Sequence, residues 1–107
     1  MAEADARAHV ERFNAAVGSG DWSAVVAALA PDAVMSFVGP PVGPFAGRDA
    51  IAAAYAANPP DDTIRIRQVR SDGDTDVVAF AWSRGGTGTL EIEHRDGRIV
   101  RLLVRFD

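Results

Sequence analysis

Few side chains in this 107-residue sequence combine reactive chemistry with a position that could face an enclosed site. Tyr55 shares the apolar face of a predicted helix with Ile51 and Ala54, so its phenol could donate inside a cavity or meet a core backbone carbonyl. His9 flanks the apolar stripe of another predicted helix, so a partly exposed imidazole is expected there, and His94 lies one residue before a turn, where a surface imidazole at a strand end is expected. Two histidines without paired carboxylates predict no metal site, and no residue pattern predicts a cofactor. Tyr55 is the one weak candidate for a catalytic group.

The remaining polar candidates fit ordinary structural roles. Asp32 follows a proline at a predicted helix end, where aspartate commonly forms turns. Ser36 lies between Met35 and Phe37 in a predicted strand, so it faces away from whichever of them points into a cavity. The glycine-rich residues 85–88 join two strands and precede no lysine, which argues against a phosphate-binding loop. The chain contains no cysteine, so disulfides, thiolate metal sites and cysteine nucleophiles are excluded.

Composition predicts one globular domain over residues 1–107. The net charge is −4 and the sequence pI is near 5.0, which leaves no basic footprint for nucleic acid. No apolar run reaches the roughly 18 residues that a membrane span needs, and the acidic start is unlike a signal peptide. We therefore expect a cytoplasmic protein that binds neither nucleic acid nor membrane. All 11 basic residues are arginine, a bias that is typical of GC-rich bacterial genomes.

Three helices are predicted in the first 60 residues. The apolar stripe of the first consists of Ala6, Val10, Phe13 and Val17. Asn14 belongs to the polar side of this helix, and the glycines of residues 18–20 end it. Asp21 is a suitable N-cap for the second helix, which extends through Leu29 until Pro31 stops it. The third helix opens at residues 47–49 and closes at residues 58–60.

Alternating or β-branched residues predict six strands. Their ranges are 32–38, 45–47, 63–70, 76–83, 87–95 and 98–106. The segment 39–44 contains three prolines and two glycines, so it can form neither a regular helix nor a central strand. The predicted class is α+β, with three N-terminal helices packed on a mostly antiparallel sheet.

The two faces of this sheet are predicted to differ in chemistry. Charges recur at period-two spacing in three strands, at Arg65, Arg67, Glu91, Glu93, Arg101 and Arg105. This face is expected to be solvated, while Val100, Leu102, Val104 and Phe106 point toward the helices. The turn at residues 85–86 is compatible with two pairing registers between the strands 76–83 and 87–95. A two-residue turn places Phe80 and Trp82 on the outer face, where they would suit a dimer contact, and a three-residue loop places them inside.

Four segments in order resemble the nuclear transport factor 2-like superfamily, in particular its SnoaL-like and ketosteroid-isomerase-like branch. They are residues 11–22 (ERFNAAVGSGDW), 29–34 (LAPDAV), 45–51 (FAGRDAI) and 96–99 (DGRI). The resemblance covers nearly the whole chain. It implies a cone-shaped fold in which a curled sheet wraps around the helices, an apolar cavity open at one end, and a homodimer through the outer sheet face. By position, the Pro40–Pro44 loop could cover the cavity mouth.

The catalytic residues of the relatives carry over poorly. The ketosteroid isomerase tyrosine of the first helix aligns with Phe13, the general base with Phe37, and the second oxyanion donor with Leu90. Only Tyr55 matches, as a supporting tyrosine of part of that family. Proton transfer needs a base and donors, which apolar residues cannot supply. The strands also lack the Arg-x-Asp pattern of limonene-epoxide hydrolases, and His94 has no inward carboxylate of the kind SnoaL-like cyclases use.

The resemblance therefore implies a pocket protein for a compact apolar small molecule, without the isomerase Tyr/Asp/Asp set. If the chain is an enzyme, an isomerase, cyclase or hydratase with non-standard residues is expected. The alternative is a non-catalytic dimeric interaction domain. The residues predicted to contact a ligand are Phe13, Val17, Met35, Phe37, Ile51, Tyr55, Trp82, Leu90 and Ile92.

Overall fold

The computed structural model describes residues 2–107, with side chains from residue 4 onward. Three helices form, α1 (Ala2–Ser19), α2 (Ser23–Ala27) and α3 (Arg48–Ala57). The strands are β1 (Leu29–Val38), β2 (Phe45–Ala46), β3 (Ile64–Asp72), β4 (Thr75–Trp82), β5 (Thr87–Arg95) and β6 (Arg98–Phe106). The α+β class and the order of the elements agree with the sequence prediction. None of the helices in residues 2–107 is long and apolar enough to cross a membrane.

The strands form one six-stranded sheet in the order β2-β1-β6-β5-β4-β3. All neighbours are antiparallel except β1 and β6, which run parallel with Met35 beside Leu102. The register shifts within the β1–β6, β3–β4 and β5–β6 pairs. Irregularities of this kind bend strands and raise their twist, so they let the sheet curl around the helices. Because the last of them lies between Glu93 and His94, Ile99 rather than Val100 is the buried residue at the start of β6.

The second helix is shorter than predicted. It ends at Ala27, and β1 already begins at Leu29. Ile99 of β6 donates its backbone N–H to the carbonyl of Ala28 at 3.0 Å, so this carbonyl belongs to the sheet rather than to a continued helix. The residue before a proline also disfavours helical dihedrals, which moves the boundary upstream of Pro31.

The loop between β4 and β5 contains three residues, which decides between the two registers left by the sequence. The backbone N–H of Trp82 donates to the carbonyl of Gly86 at 2.9 Å, so Ser83, Arg84 and Gly85 form the turn. Phe80 consequently lies opposite Gly88 and is buried on the helix-facing side of the sheet. A Cβ on Gly88 would lie 2.6 Å from the Phe80 ring and 2.5 Å from the Arg105 carbonyl oxygen, so only glycine fits.

The outer face of the sheet carries the predicted charges. Arg101 pairs with Glu93 at 3.1 Å and with Glu91 at 3.6 Å, and Arg105 reaches Glu91 at 3.3 Å. The homodimer through this face stays a prediction. The buried Phe80 cannot contribute to it, so the aromatic outer contact that a two-residue turn would have created is absent from the described sheet.

The first helix is fixed to the edge strand β3 by a polar contact. The Asn14 amide donates to the carbonyl of Ile64 at 2.9 Å and accepts from its N–H, also at 2.9 Å. The sequence prediction placed Asn14 on the polar side of α1, yet it is half-buried between the helix and the strand. This clamp positions the inward-facing side chains of α1 over the concave face of the sheet.

Candidate functional site

An apolar groove opens between α1, α3 and the concave face of the sheet. Its volume is about 490 Å³, and its apolar walls are formed by Phe13, Met35, Phe37, Trp82, Val104 and Phe106. A second volume of about 450 Å³ lies along α3 and shares Phe37, Val42 and Tyr55 with the first. The first volume is the outer groove, and the second continues it along α3. Pro40 and Val42 also line it, as expected for a loop at the mouth.

A small inner cavity lies beneath the outer groove. It measures about 40 Å³ and shares Phe13, Met35, Tyr55, Trp82 and Val104 with the groove. Its deeper walls add His9, Ile64, Phe80, Leu90 and Leu102. A space of this size is enough for one water molecule or one small substituent of a larger ligand.

Stacked aromatic rings hold the walls in place. Trp22 lies almost parallel to Tyr55, with ring centroids 4.4 Å apart, and meets the edge of Phe13 at 5.6 Å. Trp82 stacks on Phe106 at 5.7 Å on the opposite wall. Such contacts add to the free energy of area burial and fix ring orientation. The walls are consequently set by packing between α1, α2, α3 and the sheet.

Tyr55 is a buried, protonated donor at the boundary of the groove and the inner cavity. Its hydroxyl donates to the Met35 sulfur at 3.4 Å, and only 7% of the residue is exposed. A thioether is a weak acceptor, so this hydrogen bond satisfies the phenol poorly. Burial raises the pKa of Tyr55 to about 12, so the phenol keeps its proton at neutral pH.

His9 is buried, contrary to the partly exposed position expected from the sequence. It is only 2% exposed, and its Nδ1 has no hydrogen-bond partner among residues 4–107. Burial, together with the nearby Arg12 and His94, lowers the pKa of His9 from 6.5 to about 3, so the ring is neutral at physiological pH. The burial of His9 could have been predicted from helical spacing, because residues 6, 9, 13 and 16 lie on one face of α1.

The structure brings together six of the nine residues predicted to contact a ligand. Phe13, Met35, Phe37, Tyr55, Trp82 and Leu90 line the groove or the inner cavity. Ile51 and Ile92 are fully buried in the core and Val17 is half-buried, and none of these three lines either space. Ligand contact by any of the nine stays a prediction. Val104 lines both the groove and the inner cavity, but it was not among the nine predicted residues. Its predicted position on the inward face of the last strand could have indicated this.

The charged groups of the site lie at its rim. Arg84 pairs with Asp61 at 3.2 Å, and the Arg84 N–H donates to the Asp62 carboxylate at 3.1 Å. These contacts join the β4–β5 hairpin to the segment after α3 across the mouth of the groove. Both Asp61 and Arg84 are largely exposed, so their attraction is screened by solvent and salt.

The buried acidic residue Asp76 does not reach the groove. Asp76 on β4 is 1% exposed and accepts a hydrogen bond from the Ser71 hydroxyl at 2.9 Å, and sequence reasoning did not single it out. It lines neither the groove nor the inner cavity. Within residues 4–107, no group of three or more His, Asp or Glu side chains is placed to hold a metal ion. The arrangement can enclose an apolar molecule and offer it a tyrosine donor and a neutral imidazole.

A curled sheet wrapped around three helices, with an apolar groove at its open end, defines a cone-shaped α+β pocket fold. The family model of the SnoaL-like domain matches residues 10–102. The chain belongs to the SnoaL-like domain family. No curated protein matches the sequence at a significant level.

Solved structures share the whole architecture. A SnoaL-like protein of unknown function from Burkholderia thailandensis has 18% identity and a TM-score of 0.77, covering 97% of this chain and 95% of that one. A candidate ketosteroid isomerase from Kribbella flavida has 19% identity and a TM-score of 0.74, with 96% and 78% covered. A candidate polyketide cyclase from Sinorhizobium meliloti has 25% identity and a TM-score of 0.71, with 90% and 92% covered. NTF2-like proteins of unknown function from Burkholderia xenovorans and Mesorhizobium loti also match, with TM-scores of 0.74 and 0.73, so the fold is the nuclear transport factor 2-like fold that the sequence motifs suggested.

Proposed function

We propose that the chain binds a compact, mostly apolar small molecule in the outer groove. The observation that supports this proposal is a groove of about 490 Å³ whose walls are predominantly apolar side chains. Phe13, Phe37 and Trp82 are left only half-buried there, which forgoes part of the free energy that full burial would give. A ligand that covers these rings would recover that free energy. A small-molecule role also agrees with the names of the two candidate enzymes of the same fold.

The polar groups of the site favour binding over acid–base catalysis. A general acid or base works best when its pKa lies near the working pH. The pKa of Tyr55 is about 12 and that of His9 about 3, so both lie far from neutrality. The positions that align with the isomerase catalytic set hold Phe13, Phe37 and Leu90. If the chain isomerises or cyclises a substrate, its contribution is to hold the reacting conformation.

The proposal is tested by titrating the protein with β-methylnaphthalene and following backbone amide shifts by NMR. We expect saturable shifts at groove residues. Val104→Phe should weaken binding by about tenfold, because the added ring occupies groove volume that the ligand needs.

Leu103→Phe is the matched control. Leu103 precedes Val104 on β6 and pairs with Glu91 of the outer face, so its side chain points away from the groove. This variant should bind as the unmodified chain does. Equal weakening in both variants, or shifts that never saturate, would rule out the groove as the binding site.

A further inference from the structure

The inner cavity contains two polar side chains that lack adequate partners. His9 is 2% exposed, and its Nδ1 has no hydrogen-bond partner among residues 4–107. Tyr55 is 7% exposed, and among residues 4–107 its hydroxyl is paired only with the Met35 sulfur at 3.4 Å. Both residues line the same cavity of about 40 Å³, and the other side chains around it are apolar. Poorly paired buried polar groups cost free energy, so two beside one small space indicate that the space receives a polar atom.

The donors and acceptors define what that atom can be. A neutral imidazole offers one donor and one acceptor nitrogen, and a phenol can donate and accept. A hydroxyl group matches this set, because its oxygen can accept from Tyr55 while its proton is donated to the imidazole, or the reverse. A carboxylate does not match this set. Among the described residues no arginine or lysine lines the cavity, and burying an unpaired charge costs much free energy.

We propose that the inner cavity is a subsite for one uncharged hydroxyl group of the ligand, and that His9 determines specificity for it. This rests on the proposed function, since the apolar body of the ligand would lie in the outer groove while its hydroxyl enters the cavity. The cavity has room for one such substituent. The ligand class is therefore a compact apolar alcohol or phenol.

The test compares β-naphthol with β-methylnaphthalene, which have nearly the same shape and carry a hydroxyl or a methyl group at the same carbon. Affinities are measured by NMR titration for the unmodified chain and for His9→Phe. We expect the substitution to weaken the binding of β-naphthol by about fivefold, which corresponds to the loss of one hydrogen bond. The affinity for β-methylnaphthalene should stay unchanged or increase. Tyr55→Phe, which keeps the ring, should show the same selective loss.

A second measurement needs no variant. Long-range nitrogen–proton correlation spectra of the unmodified chain report the two imidazole nitrogens of His9 directly. β-Naphthol should shift the Nδ1 resonance, whereas β-methylnaphthalene should not. The resonance is observed in the folded, unmodified protein, so this result holds even if His9→Phe fails to fold.

The outcomes separate the two proposals. If β-methylnaphthalene binds but neither variant discriminates and Nδ1 does not shift, the hydroxyl subsite is wrong while the apolar groove stands. If neither compound binds, both proposals fail.

Discussion

The two ends of the concave side are built from the same kinds of residue but packed to different degrees. At the closed end, Val25, Leu29, Ile51 and Ile92 are fully buried between α2, α3 and the sheet. At the open end, apolar side chains such as Phe37 remain half-buried around a groove of about 490 Å³. Hydrophobicity alone therefore does not separate core from pocket in this chain. An apolar side chain belongs to the core where a helix covers it and to the groove where none does. Substitutions at the two ends should therefore change the free energy of unfolding by different amounts.

The largest effect is expected at Gly88, which allows Phe80 to close the floor beneath the groove. Gly88→Ala should destabilise the fold by roughly 3 kcal/mol, because the new methyl group would clash with the Phe80 ring and with backbone of β6. Urea denaturation measures the change. Gly18→Ala is the control: nothing lies within 4 Å of a Cβ at Gly18, near the end of α1, and no loss is expected there. An equal loss in both variants would refute the packing argument.

A matched pair of valines compares the two ends directly. Val25→Ala should cost about 2.5 kcal/mol because the site is sealed and leaves a cavity, whereas Val104→Ala should cost about 1 kcal/mol because it only widens an existing groove. The same urea experiment measures both variants. Similar losses would mean that the open end is as tightly packed as the closed end.

The third prediction concerns His9, which lies beneath the groove. Since its folded pKa of about 3 is below the unfolded value of 6.5, the unfolded chain takes up a proton first as the pH falls. The stabilisation is complete above pH 6.5 and is lost as the pH falls toward 3. Between pH 7 and pH 5 the free energy of unfolding should fall by about 2 kcal/mol through this residue.

His9→Phe should flatten this pH dependence, while His94→Gln should preserve most of it. Urea denaturation at several pH values gives both profiles. An unchanged profile in His9→Phe would place the titrating group elsewhere.

The fold follows from local signals, but the register of one hairpin does not. Helix stripes and turn residues fixed the order of elements, since each depends on a few neighbouring residues. Whether Phe80 faces inward depends on a loop of three residues rather than two, and the glycines at positions 85 and 86 permit both. Gly88 was the informative residue, because glycine inside a strand marks a close approach, here of the Phe80 ring.

The candidate site was predicted only in part. Tyr55 and the aromatic walls follow from the apolar faces of their elements, so sequence periodicity locates them. The burial of His9 was missed because a polar residue at the flank of an apolar stripe is usually solvated. Helical spacing places His9 on the same face as residues 6, 13 and 16, but its lowered pKa also depends on His94, which lies on a strand far away in sequence and is reported by no local pattern. The pairing of Asp76 with Ser71 is likewise visible only in three dimensions.

The Asn14 clamp has a consequence for behaviour in concentrated solution. β3 is an edge strand, and its backbone groups could otherwise recruit a strand from another molecule. At Ile64 the side-chain amide of Asn14 already occupies both the N–H and the carbonyl. A single residue on α1 thus leaves neither backbone group of Ile64 free to pair with a strand of another molecule at the start of this edge.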